Sequence, residues 1–97
     1  MQHNYFLYIL TNYKKTVLYT GVTNDLTKRL FEHKERKNPS SFTSKYKCFY
    51  LLYYERFQYI DHAIEREKEI KGWKRIKKEK LINSFNPNWH FLNDDIE

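Results

Sequence analysis

Two apolar, aromatic-rich runs joined by a very short polar link constrain this chain more than any other feature. Tyr5-Phe6-Leu7-Tyr8-Ile9-Leu10 is followed by Thr11-Asn12-Tyr13-Lys14-Lys15, and then by Thr16-Val17-Leu18-Tyr19-Thr20-Gly21-Val22. Branched and aromatic side chains suit a pleated, half-buried surface, so the runs read as strands over about 5–12 and 16–22. A link this short cannot hold the crossover that parallel strands need, which leaves an antiparallel hairpin. A turn centred between Tyr13 and Lys14 sets residues whose numbers sum to 27 opposite each other, so that Tyr8 faces Tyr19. Directly opposed residues project from one face, so the two phenols would line one site; a slip of one residue would part them.

Thr23-Asn24-Asp25 offers caps for a helix carrying Leu26 and Leu30, predicted over about 25–36. Residues 37–46, punctuated by Pro39, read as a polar loop, and a third strand follows over about 48–56. Asp61 is the expected cap of a helix over about 61–71, which Gly72 interrupts before a further helical piece over about 74–84. Asn86-Pro87 closes the helical part, and Trp89, Phe91 and Leu92 read as an anchor, on this core or in a partner. The order β-β-α-β-α-α implies an α+β fold, a small, mostly antiparallel three-stranded sheet flanked by helices. At 97 residues the expectation is one domain over 1–93 with a short acidic tail at 94–97. A core of that size leaves room only for a shallow site built on its own elements.

Charge narrows the partners. Residues 1–93 hold all 18 Lys and Arg against nine of the 12 acids, because Asp94, Asp95 and Glu97 lie at the end; the body carries +9. Such a surface favours polyanions, nucleic acid first among them. Aromatics at 19% are too many for a disordered basic tail, and no apolar run approaches the roughly 20 residues of a membrane span. The lone Cys48 excludes an internal disulfide and reads as a core residue, so a reduced, cytoplasmic protein without membrane attachment is expected.

Several polar residues stand where periodicity expects the core. The stripe Ile60, Ala63, Ile64, Ile70 is broken by Glu67, whose ionised carboxylate needs a cation or hydrogen bonds if it is buried. It reads either as a rim acid paired with Lys71 or Arg66, or as a ligand of a hard divalent ion such as Mg²⁺. On the first helix Arg29 and His33 stand one turn apart beside the buried stripe. They read as an ordinary basic helix face, or as a guanidinium fork for phosphate beside an imidazole for proton transfer. The stretch from Arg66 to Lys80 holds eight of the basic residues. It reads as a solvated face or, with Trp73 stacking, as a phosphate-tracking one; Lys28, Arg36, Lys37, Lys71, Lys74 and Arg75 are the candidate nucleic-acid contacts.

Five short segments, in order, carry a resemblance. Leu7-Tyr8-Ile9 and Tyr19-Thr20-Gly21 are similar to the paired motifs that name the GIY-YIG nuclease domain, with Leu7 in place of Gly and Thr20 in place of Ile. Residues 21–33 resemble the family's helix with its Arg and, four residues on, a His or Tyr. Residues 63–71 resemble the segment bearing its metal-binding Glu, and Asn86-Pro87-Asn88-Trp89 resembles the closing motif of short, stand-alone members. Val22 stands where some members, including the excinuclease C type, carry Lys. The resemblance implies an endonuclease that hydrolyses phosphodiester bonds, in DNA rather than RNA, using one Mg²⁺ or Mn²⁺ on Glu67. Tyr8, with Tyr19 beside it, would orient or deprotonate the attacking water. Arg29 would stabilise the pentacovalent phosphate, His33 would move a proton or hold a phosphate, and Asn86 or Asn88 would mark the far wall. A non-catalytic nucleic-acid-binding module of the same fold is the alternative, and a protein-interaction domain is a third.

Overall fold

The computed structural model describes residues 3–35 and 38–96. The continuous apolar run of β1 (Tyr5–Thr11) belongs to a central strand, because both of its faces must be covered. It lies between β2 (Leu18–Thr23) and β3 (Tyr50–Phe57) in an antiparallel sheet of order β2-β1-β3. Helices α1 (Leu26–Lys34) and α2 (Phe42–Lys45) precede β3, and α3 (Ile60–Lys71), α4 (Arg75–Phe85) and α5 (Asn93–Ile96) follow it. The α+β class and the expected strand and helix order hold; the additions are the four-residue helices α2 and α5.

Alternate residues of β1 feed two cores. Leu7 and Ile9 pack with Leu52, Tyr53, Ile70 of α3 and Ile82 of α4. Tyr8 and Leu10 pack on the other side with Cys48, Leu51, Leu26 and Leu30, the last two from α1. Between Ile9 and Leu10 the pairing skips from Tyr53 to Leu51, leaving Leu52 as the extra residue of a bulge. That irregularity lets Leu51 serve one core while Leu52 and Tyr53 both serve the other.

The hairpin register differs from the sequence expectation. Tyr8 pairs with Gly21 and Leu10 with Tyr19, so opposed numbers sum to 29 rather than 27. The cause lies in the loop. Asn12 Oδ1 accepts from the backbone N–H of Thr16 (2.8 Å) and Val17 (3.1 Å), its carbonyl accepts from Lys15 N–H (3.0 Å), and Lys15 turns the chain at φ 61°. The centre of the turn therefore falls one residue later than expected. The slip is two residues, an even number, so both phenols stay on one face as diagonal neighbours with ring centroids 6.3 Å apart.

Other boundaries moved as well. Asp25 caps α1 by accepting from Lys28 N–H, but the helix ends at Lys34. Asp61 does not cap α3; Tyr59 occupies that position without a side-chain bond, and Asp61 lies in the first turn. Ile60 and Ile64 are exposed rather than part of the core stripe, leaving Ala63 and Ile70 as its buried members. The third strand starts two residues later than expected, so the buried Cys48 precedes it.

The end of the chain is tied to its own core. Asn86 donates to the carbonyls of Leu52 (3.0 Å) and His90 (2.8 Å) and accepts from His90 N–H (3.1 Å). Leu92 N–H donates to Leu51 O (2.8 Å), and Asn93 accepts from Leu51 N–H and donates to Phe49 O. Trp89 and Phe91 pack against the Leu7 side. The acidic tail is expected over 94–97; Asn93–Ile96 form α5, and Thr27 of α1 donates to Ile96 O (3.1 Å).

Candidate active site

Strand β1 delivers Tyr8 to the face covered by α1, directly opposite Gly21. The glycine is required by close approach, not by an unusual φ. A Cβ at position 21 would lie 2.5 Å from the Tyr8 hydroxyl oxygen and 2.6 Å from Cζ, well inside contact distance. The phenol crosses β2 through this gap and meets α1, where Arg29 and His33 stand one turn apart. Arg29 Nε–H donates to the Tyr8 oxygen (3.3 Å), and the hydroxyl lies 3.0 Å from His33 Nε2. On its far side, His33 Nδ1 lies 2.8 Å from Thr43 Oγ1. Tyr19 completes the group, with its ring 5.9 Å from the His33 ring and stacked on Phe42.

Burial sets the electrostatics of the row. The Tyr8 side chain, in a residue only 1% exposed, has its pKa pushed up to about 12 by burial; the bond from Arg29 opposes this, and the nearby Tyr19 and Glu67 add to it. His33, at 8% exposure, is lowered to about 4 by burial and then by the positive charge of Arg29. At neutral pH the pair is therefore a neutral phenol beside a neutral imidazole. Solvent meets Arg29 first. Its side chain is 42% exposed and pairs with Glu32 at 3.5 Å. Two clefts flank it: one of about 190 Å³ lined by Tyr19, His33, Phe42 and Thr43, the other of about 460 Å³ lined by Val22, Asn24, Asp25 and Lys28, with Arg29 and Glu32 lining both.

Glu67 sits on the opposite layer, on α3, which packs against β1 and β2. Its side chain is 22% exposed and pairs with Lys71 Nζ at 3.5 Å; its charge nonetheless reaches the Tyr8 phenol. The neighbouring Arg66 fixes the helix by donating to both carboxylate oxygens of Glu55 on β3. Tyr8, Tyr19, Arg29 and His33 are thus brought into contact, while Glu67 is linked to them through its field. Among the described residues no group of three or more His, Cys, Asp or Glu could hold a metal. A partly exposed carboxylate paired at 3.5 Å with an exposed lysine suits a hard ion that keeps most of its water and takes substrate phosphate, such as Mg²⁺. It does not suit an ion caged by protein ligands.

The expected phosphate contacts divide. Lys28 lines the larger cleft beside Arg29, and Lys74 is exposed at the start of α4. Lys71 holds Glu67. Arg75 is engaged internally, donating to the carbonyls of Thr16 (2.6 Å) and Lys15 (3.1 Å) and pairing with Glu79. Arg36 and Lys37 lie outside the described residues. Trp73, expected as a stacking platform, is half-buried against the core with Arg66 and Lys77 over its ring. The Asn86 amide is fully used in holding the chain's end, Asn88 is exposed, and neither lines a cleft beside Arg29. Sequence reading missed Glu32 and Thr43. The one signal for Glu32 was its place three residues after Arg29; Thr43 sat in what read as a loop.

Comparison with known proteins gives the class. Residues 4–80 match the GIY-YIG catalytic domain, and the chain belongs to that family, whose members are generally nucleases working with a divalent metal. It is similar to UPF0213 proteins: 36% identical over 81 residues to one from Bacillus pumilus, covering 84% of this chain and 81% of the relative. A relative from Syntrophus aciditrophicus is 37% identical over 82 residues, covering 84% of this chain and 92% of its own. The solution NMR structure of a UPF0213 protein from Bacillus halodurans superposes with a TM-score of 0.57 at 29% identity, covering 89% of each chain. Among the described residues no helix is long and apolar enough to cross a membrane.

Proposed function

We propose that the chain is an endonuclease that hydrolyses phosphodiester bonds in DNA with the help of one Mg²⁺ or Mn²⁺. The observation that carries this reading is the bonded row Arg29–Tyr8–His33 beneath two clefts that share Arg29 as their wall. A phosphate entering either cleft meets the exposed side of the guanidinium, which offers a planar fork for two of its oxygens. Drawing Arg29 toward that phosphate uncovers the Tyr8 hydroxyl, which is otherwise shielded from water. The phenol then orients the attacking water. Its proton passes to His33 Nε2 as it takes one from the water, so that a phenol near pKa 12 need not ionise on its own. Arg29 stabilises the negative charge that builds on the phosphorus oxygens. Glu67 would hold the divalent ion, which would supply Lewis-acid stabilisation of the phosphate and of the leaving oxygen. Lys28 and Lys74 hold the flanking backbone.

A non-catalytic binding module has two observations in its favour: Tyr8 is closed to solvent and Glu67 is paired with Lys71. A single experiment separates the two. Purified wild type and Glu67→Ala are incubated with supercoiled plasmid and with single-stranded DNA, in Mg²⁺, in Mn²⁺ and in chelator. The nuclease reading expects nicking that needs metal and disappears in the variant, with Arg29→Ala slower by about 10²–10³. Salt-sensitive binding without cleavage by wild type supports the module. Equal nicking by wild type and Glu67→Ala removes Glu67 from the mechanism.

A further inference from the structure

We infer that Thr43 is a positioning residue whose hydroxyl accepts a hydrogen bond from His33 Nδ1–H and so holds the ring with a bare Nε2 facing Tyr8. The argument is a count of protons along the row. Arg29 Nε can only donate, and it donates to the Tyr8 oxygen at 3.3 Å. The phenol's own proton then needs an acceptor, and the nitrogen within reach is His33 Nε2 at 3.0 Å. Nε2 must therefore carry no proton. A neutral imidazole has one, which places it on Nδ1, aimed at Thr43 Oγ1 at 2.8 Å. The Thr43 proton passes on to Ser41 Oγ at 3.2 Å, which also accepts Ser44 N–H as the cap of α2. The opposite tautomer would aim two donors at the Tyr8 oxygen and leave a buried hydroxyl proton without an acceptor.

Solvent has little room to repair such a mismatch, because His33 and Thr43 are 8% and 3% exposed. No buried side-chain polar atom among the described residues lacks a partner, which the order above satisfies. Among the described residues, the charged and titratable groups around His33 are Arg29 and Glu32 on its own helix, Tyr8 on β1 and Tyr19 on β2. Burial and Arg29 together keep the ring neutral, a condition the count requires. The short helix α2 is thereby explained. Ser41 caps it, and its first turn carries the hydroxyl that fixes the ring of a residue ten positions earlier.

The catalytic meaning of this order rests on the nuclease reading above; the order itself does not. It is tested by the ¹⁵N chemical shifts of the imidazoles in protein labelled at histidine, at pH 7, with His33 assigned by its loss in His33→Gln. Wild type is expected to show His33 protonated at Nδ1. Thr43→Ser should keep that pattern and the downfield Nδ1–H proton resonance, and the near-isosteric Thr43→Val should move that resonance upfield as its hydrogen bond is lost. In the cleavage assay Thr43→Val should lose about ten- to a hundredfold in kcat with KM for DNA little changed, and Thr43→Ser should recover most of it. Wild type protonated at Nε2 overturns the inference without any variant, as does a Thr43→Val protein whose Nδ1–H proton resonance is unmoved. The expected shifts in a wild type that cuts no DNA uphold the role of Thr43 and overturn the nuclease reading alone.

Discussion

Tyr8 and His33 face each other with the phenol pushed up to about 12 and the imidazole lowered to about 4, so transfer of the proton between them is uphill. Free protein therefore holds the proton on the phenol, and only a bound phosphate and cation could change that balance. The same burial makes stability depend on pH. A histidine whose folded pKa lies below its unfolded value of 6.5 binds its proton more readily in the unfolded chain at any pH between the two. Its contribution is thus complete above about pH 6.5 and is lost on acidification toward pH 4, to a limit of about 3 kcal/mol. Urea unfolding of wild type and His33→Gln at pH 7, 5.5 and 4.5 should show wild type losing more stability on acidification. Parallel losses in the two proteins would show that His33 is not the group responsible.

At the scale of elements, the end of the chain is held by one amide. Asn86→Ala removes three hydrogen bonds and leaves the buried carbonyl of Leu52 unpaired, a loss of about 2–4 kcal/mol. Hydrogen exchange should find the Leu92 amide, bonded to Leu51 O, deprotected before the amides of β1. If Leu92 and β1 exchange together, the segment is not a separate unit. The sheet and the long helices were legible because β1 is an unbroken apolar run and α1 opens on Asp25. Hairpin register was not, since it depends on Asn12 folding the loop with both its side chain and its carbonyl. Helix α2 has four residues and no apolar repeat, so periodicity had nothing to detect, and Thr43 was lost with it. Arg29 and His33 could be paired from helical spacing alone. The burial of Tyr8 could not, because it follows from a missing Cβ on the adjacent strand.

The whole molecule measures 38 × 30 × 25 Å, so one face spans about one turn of a duplex. With roughly five phosphates neutralised, the logarithm of affinity should fall with the logarithm of salt at a slope of about −4 to −5. Lys28→Ala and Lys74→Ala should each reduce that slope by about one. Arg75→Ala should lower stability and leave the salt slope unchanged, because that guanidinium clasps the hairpin loop. A slope that drops equally for all three would mean Arg75 leaves its internal partners when DNA binds. The shared wall between the clefts has a thermodynamic consequence. Two separate anions, one in each cleft, would compete for Arg29 and so weaken each other by the same factor in both directions. A single strand laid across both would engage that cation once and escape the antagonism, so the molecule would discriminate continuous backbone from loose phosphate without a contact to any base.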